Sequence, residues 1–457
     1  MASAATRQMG RTLWQQTLPM AMGVAALLGF NLIDSIFIAR LGTRPLAAHS
    51  FTFPVATVII GVQVGFGIAI AAIISRAQGA DEYERARRLG SLVLLGCSAI
   101  MLLLMLGLYL LAPVIFTLLG ADRALLPLIY SYWTPWLAAS WLGALLYLGY
   151  SLFRAHGETR LPGRMMVLTS LLNLILDPIF IFGVGSFEGW GLSGAPLATL
   201  LAFAIGLAVL GGRLAGRHWL STTGLLDEMH RSLRRFAGIA LPAMASQLLP
   251  AVSALVATAV VARLGETAVA AWGLAARLET FVILVVLGMT MSLPPWLGRC
   301  YGAGRWQEVR ALMNLAARVV LIWQFVLGLL LALLAAPLAS LLAGSDAVRE
   351  LLTVLLRFLL PSYALLGICM LVVSACNALG WPRRAVAISF ARLFVCYLPC
   401  LIVGSWLGGL TGLAAGAAVG NLLAGVQAWW LYRRALGERG RTEETTAAAP
   451  VSSSASG

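Results

Sequence analysis

The chain has 457 residues, of which 60% are hydrophobic and only 11% charged, with a mean hydropathy of +0.90. Those values exclude a soluble globular domain and point to an integral membrane protein, because no water-soluble core of this length needs repeated apolar runs of about 20 residues. The formal charge of +14 does not indicate a nucleic-acid partner: all 32 basic residues are Arg, scattered through short loops and forming no single patch.

Polar interruptions delimit twelve predicted helices, at 13–40, 50–75, 89–112, 128–153, 163–183, 191–212, 236–262, 271–298, 312–342, 350–377, 384–406 and 410–433. Each is long enough to cross about 30 Å of hydrocarbon. Residues 1–12 carry Arg7 and Arg11 and lead straight into the first run, which continues past Gly29 and contains Asp34. That start reads as a membrane helix and not as a cleaved signal peptide. Residues 213–235, with five Arg, are expected to link two halves, and 434–457 to form a disordered polar tail. The six Cys form no Cys-x-x-Cys pair and the four His are widely scattered, so neither a cofactor nor a metal framework is expected.

The arginines also orient the chain. Twenty-three fall at one end of the predicted bundle, five at the other and four within spans. By the positive-inside bias both termini face the cytoplasm, and the expected location is the plasma (inner) membrane.

An internal repeat runs through the spans. Leu18-Pro19 returns as Leu241-Pro242, "ARLG" at 39–42 as "ARLG" at 262–265, Arg76, Gly79 and Ala80 as Arg299, Gly302 and Ala303, and Gly157 as Gly380, each 223 residues later. Six spans per unit is an even number, so both copies enter the membrane in the same direction. The expected fold is an all-α integral membrane protein of two six-helix lobes, 13–212 and 236–433, related by a parallel repeat, with the transport path between them.

Four polar residues stand out in the first unit. Asp34 lies in "FNLIDSIFIARLG" and Asp177 in "NLILDPIFIFG", each six residues before its helix end and so roughly 9 Å deep at 1.5 Å per residue. Asn173 precedes Asp177 by four and shares its face. Thr199 is about 12 Å deep from the same side. At the repeat offset Asp34 faces Ala257 and Asp177 faces Cys400, so the acids serve something confined to one lobe. A lone intramembrane acid costs roughly 2.5–3.5 kcal/mol even on a lenient scale. Two carboxylates with amide and hydroxyl oxygens are therefore expected to hold a small cation, either H+ or Na+. Pro19 is a candidate hinge, since a proline inside a helix removes a backbone bond. Glu279, two residues after Arg277, reads either as a solvated helix end or as a group of the central cavity.

The twelve spans, "NLIDSIFIARLG" in helix 1, "RAQGA" after helix 2 and "NLILDP" in helix 5 together resemble the multidrug and toxic compound extrusion (MATE) transporters over residues 10 to 435, and within them the DinF-like branch. The resemblance implies that Asp34, Asn173, Asp177 and Thr199 form an amino-lobe cation site and that Pro19 is the helix 1 proline that bends on protonation. It implies export of amphipathic, often cationic compounds by alternating access, driven by inward proton or sodium flow. The NorM-like branch also carries acids in helices 7 and 10, and no acid stands between Arg235 and Arg263 here. A monomer in contact with membrane lipid is expected. The nearest rival function is a lipid or oligosaccharide-lipid flippase of related two-lobe build. An intramembrane transferase is more distant, because Asp34 and Asp177 sit singly on separate helices and the His lack acid partners.

Overall fold

Inside hydrocarbon every backbone N–H and C=O must find its partner within the protein, which restricts spanning elements to helices and closed barrels. The computed structural model describes residues 2–447, with side chains for 7–437, and in it the chain takes the first solution. The elements are α1 (Ala2–Arg40), α2 (Thr43–Ser50), α3 (Phe53–Gly79), α4 (Tyr83–Leu118), α5 (Leu126–Ala155), α6 (Arg160–Phe182), α7 (Gly194–Ala215), α8 (Leu225–Ala262), α9 (Glu266–Val282), α10 (Leu284–Gly302), α11 (Trp306–Leu333), α12 (Ala335–Leu342), α13 (Asp346–Ala378), α14 (Pro382–Phe390), a π-helical segment (Ala391–Tyr397) and α15 (Leu398–Ala447). Among the described residues ten helices are long and apolar enough to cross a membrane, or eleven if α9 and α10, bent by 43° at their junction, count as one span. Broad apolar faces point outward, for example Leu103, Leu106 and Leu110 on α4 and Ile322, Phe325 and Val326 on α11, as a lipid-facing surface requires.

Several boundaries differ from those read in the sequence. The run expected as one helix at 271–298 breaks at Ile283, and that at 312–342 breaks at Leu334. The expected linker 213–235 is helical from Leu225 onward. Its Glu228 is buried against α4, accepting hydrogen bonds from Arg85 (3.2 Å) and from Ser232, so packing captured a segment that composition marked as a connection. The tail expected to be disordered from 434 stays helical to Ala447, anchored near its start by Arg433 over the Trp429 ring and Arg434 over Trp430. Residues 448–457 lie outside the described part.

α15 is two helices in one. Gly409 has φ 56 and ψ −133, a conformation open to glycine but not to side-chained residues, and the chain reverses there. A Cβ at Gly404 would strike the Gly412 carbonyl and one at Gly416 the Cys400 carbonyl, so the two arms lie backbone to backbone.

At the arginine-rich end, the first and second halves of the chain meet where α3 runs against α10. A Cβ at Gly79 would collide with the Arg299 carbonyl, and one at Gly302 with the Arg76 carbonyl. The side chains repeat the exchange: the Arg76 guanidinium lies on Gly380 and that of Arg299 on Gly157. Each of these four contacts maps onto another under the 223-residue offset.

Candidate functional site

α1 and α6 touch along a seam of small residues. A Cβ on Gly163 would run into the Pro19 carbonyl, and one on Gly23 would lie 3.0 Å from the Gly163 oxygen. α1 is continuous through Pro19, although the ring deprives the Gln15 carbonyl of its helical donor. The close seam brings the outer turns of the two helices together, where Phe37 meets Phe182 edge-on at 6.2 Å.

Asp34 and Asp177 share this region and lie within electrostatic reach of each other. Asp177 has no exposed surface, and neither of its carboxylate oxygens has a hydrogen-bond partner in the protein. The Oδ1 of Asp34 is likewise buried and unpartnered, as is the Oδ1 of Asn173, one turn before Asp177 on the same face of α6. Pro178 leaves the Leu174 carbonyl without its helical donor, adding an acceptor next to the acid. Thr199 is on α7, which packs along α6, and its hydroxyl donates to the Ala195 carbonyl at 3.2 Å, leaving its lone pairs for other use. The cluster thus presents buried oxygens in excess of donors, which suits a bound proton or small monovalent cation. Among the described residues no three His, Cys, Asp or Glu are grouped to hold a metal ion.

Tyr132 carries no distinguishing mark in the sequence. Buried on α5, it lies within reach of both carboxylate charges and takes the His49 ring edge-on at 4.9 Å. His49, in the short α2 outside the spans, is buried with an unpartnered Nδ1, and burial pushes its imidazole down to about 4. An aromatic in an apolar helix has no sequence signal that separates it from ordinary core; only the assembled bundle places Tyr132 within reach of the acids.

A second polar region lies between the halves. A cavity of about 340 Å3 is lined from α3, α5, α8, α9, α10, α13, α14 and the π-helical segment. Glu279 faces it, accepting a hydrogen bond from Tyr363 at 3.0 Å, with Arg392 in electrostatic reach. Arg154, just past the predicted helix 128–153, instead lies in the last turn of α5 and lines this cavity.

A chain with this bundle, this acid pair and an inter-half cavity is built as a membrane transporter. The sequence profile of the MatE family matches it twice, over residues 19–179 and 242–403, the matches starting 223 residues apart. The chain belongs to the MatE family, whose members are transporters and not enzymes. It is 35% identical over 93% of its length to a FAD transporter of Shewanella oneidensis, of which it covers 94%. It is 25% identical to the multidrug export protein MepA of Staphylococcus aureus, covering 87% of each chain. A crystal structure of the Vibrio cholerae MATE transporter VcmN in the bent form superposes with a TM-score of 0.91 at 45% identity, over 95% of this chain and 98% of that one.

Proposed function

We propose that this chain is a proton-coupled exporter of small amphipathic compounds, of the DinF-like branch, working by alternating access of two six-helix lobes. The observation that carries the reading is the acid pair. Asp34 and Asp177 lie within electrostatic reach of each other and bring three buried carboxylate oxygens without hydrogen-bond partners, a costly arrangement unless a cation visits it. The proton is favoured over Na+ because only two carboxylates contribute.

Twelve spans follow if α9 with α10 forms one and the fold-back at Gly409 makes two of the stretch from Pro382 to Gly437. The paired profile matches and the 223-residue symmetry of the α3–α10 contact support two lobes. With both termini cytoplasmic, the α3–α10 contact closes the path on the cytoplasmic side, and the linker and polar tail lie on that side too. The transporter acts as a monomer in the plasma membrane.

Cargo follows from relatives: amphipathic, often cationic drugs by likeness to MepA, or flavin adenine dinucleotide by likeness to the FAD transporter, which is more similar to this chain. A cytoplasmic cargo is loaded, the lobes rock, and proton uptake at Asp34 and Asp177 from outside favours release and return. Asp34→Asn should abolish ethidium efflux from cells while the protein still reaches the membrane. Unchanged efflux by a membrane-inserted variant would remove the coupling role.

A further inference from the structure

Arg154 is 4% exposed, yet no carboxylate is paired with it among the described residues. Its hydrogen bond goes to a neutral group, the Ser151 hydroxyl at 2.6 Å, and its guanidinium lies over the Tyr147 ring at 5.3 Å. The Nε is buried and unpartnered, and the side chain lines the inter-half cavity. Burying a guanidinium without a counter-charge is costly, and Arg is the most persistently charged of side chains.

The rest of the cavity does not offset it. Glu279 is the one acid in the lining against two arginines, Arg154 and Arg392, and it lies within electrostatic reach of Arg392, so the lining carries one positive charge in excess. The repeat isolates it further. Tyr147 and Met370 both line the cavity 223 residues apart, as do Arg154 and Asn377. Asn377 is itself buried with an unpartnered Oδ1. The fold therefore accepts a neutral side chain at this position in one half, and the charge in the other half is not a folding requirement.

We propose that Arg154 is the anion subsite of the transport cavity, taking the phosphate of an aromatic organic phosphate whose ring system lies against Tyr147, Met291 and Met370. This rests on the reading of the cavity as the cargo path. A guanidinium fork offers two parallel N–H donors to a phosphate, and the free Nε with one terminal nitrogen supplies such a pair. The apolar and thioether side chains beside it hold a flat ring without fixing its identity. The cargo class that results is anionic at one end and aromatic at the other, opposite in charge to the cationic drugs that the family resemblance suggests.

The test uses the full chain in lipid nanodiscs with two fluorescent probes that differ only by a phosphate, riboflavin and riboflavin 5′-phosphate. Wild type should bind the phosphorylated probe at least tenfold more tightly. Arg154→Gln should abolish the difference while riboflavin affinity stays the same. Asn377→Asp, which leaves Arg154 in place and adds a counter-charge at the equivalent position, should reduce the preference as well. Equal affinities in wild type, or a preference that survives Arg154→Gln, would overturn the subsite. Asp34→Asn, outside the cavity, separates the two readings. If it binds with full preference and gradient-driven transport by wild type nonetheless fails, the transport reading falls and the subsite stands; coupled dye transport without any phosphate preference gives the reverse.

Discussion

The contact between α3 and α10, which in the proposed function closes the path at the arginine-rich end, depends on two glycines. In Gly302→Val the new Cβ would occupy the space of the Arg76 carbonyl oxygen, which belongs to helix backbone and cannot rotate away. The helices must separate, and overpacking of this kind costs about 1–3 kcal/mol. At about 1.4 kcal/mol per factor of ten, the sealed state should lose roughly 5- to 150-fold in population relative to the open one. Gly79→Val, facing the Arg299 carbonyl, should behave alike by the internal symmetry. Hydrogen–deuterium exchange of the peptides spanning 72–82 and 295–305 reads the opening directly, both segments speeding up together in either variant. Gly107→Val is the control, since a Cβ there meets nothing within 4 Å. Exchange at both peptides indistinguishable from that of the control would refute the close-contact account of the seal.

Three further outcomes follow from the packing and the buried groups. Gly163→Leu should prevent the α1–α6 seam from closing on Pro19 and lower the yield of folded protein in a detergent-solubility assay, whereas Pro19→Ala should fold normally and slow transport; normal folding of the Leu variant would contradict the seam. His49 and His156 are held neutral by burial, each with a folded value near 4 against 6.5 unfolded. The unfolded chain binds more protons between those values, so their contribution to stability is complete above about pH 6.5 and is lost as pH falls towards 4, by up to about 3 kcal/mol each. His49→Leu should make the melting temperature fall less between pH 7 and pH 4 than in wild type; an identical decline would show that His49 does not titrate on unfolding. Asp177→Asn should cut dye export strongly with surface expression intact, and full export would confine the coupling role to Asp34.

The parts of this molecule legible in the sequence are those set by local chemistry. Membrane crossings show as apolar runs, and the reversal at Gly408-Gly409 shows because a paired glycine between two runs is a strong turn signal. Asp34 and Asp177 are visible because an acid in such a run has no cheap structural excuse. What the sequence hides is set by tertiary contact. The breaks at Ile283 and Leu334 carry no proline or glycine at the break itself. Arg154 sits one residue from a helix end and looks like any loop arginine until α5 is packed against the cavity. Even there the repeat offset proved informative, because it pairs Arg154 with Asn377 across the same cavity.

The coupling role of Asp34 is tested most directly with purified protein in liposomes loaded with a fluorescent cationic dye, applying a proton gradient and a sodium gradient separately to wild type and to Asp34→Asn. The expected result is dye movement driven by the proton gradient alone and lost in the variant. Movement driven only by sodium would turn Asp34, Asn173, Asp177 and Thr199 into a sodium cage, and equal movement by the Asp34→Asn protein would contradict the account outright.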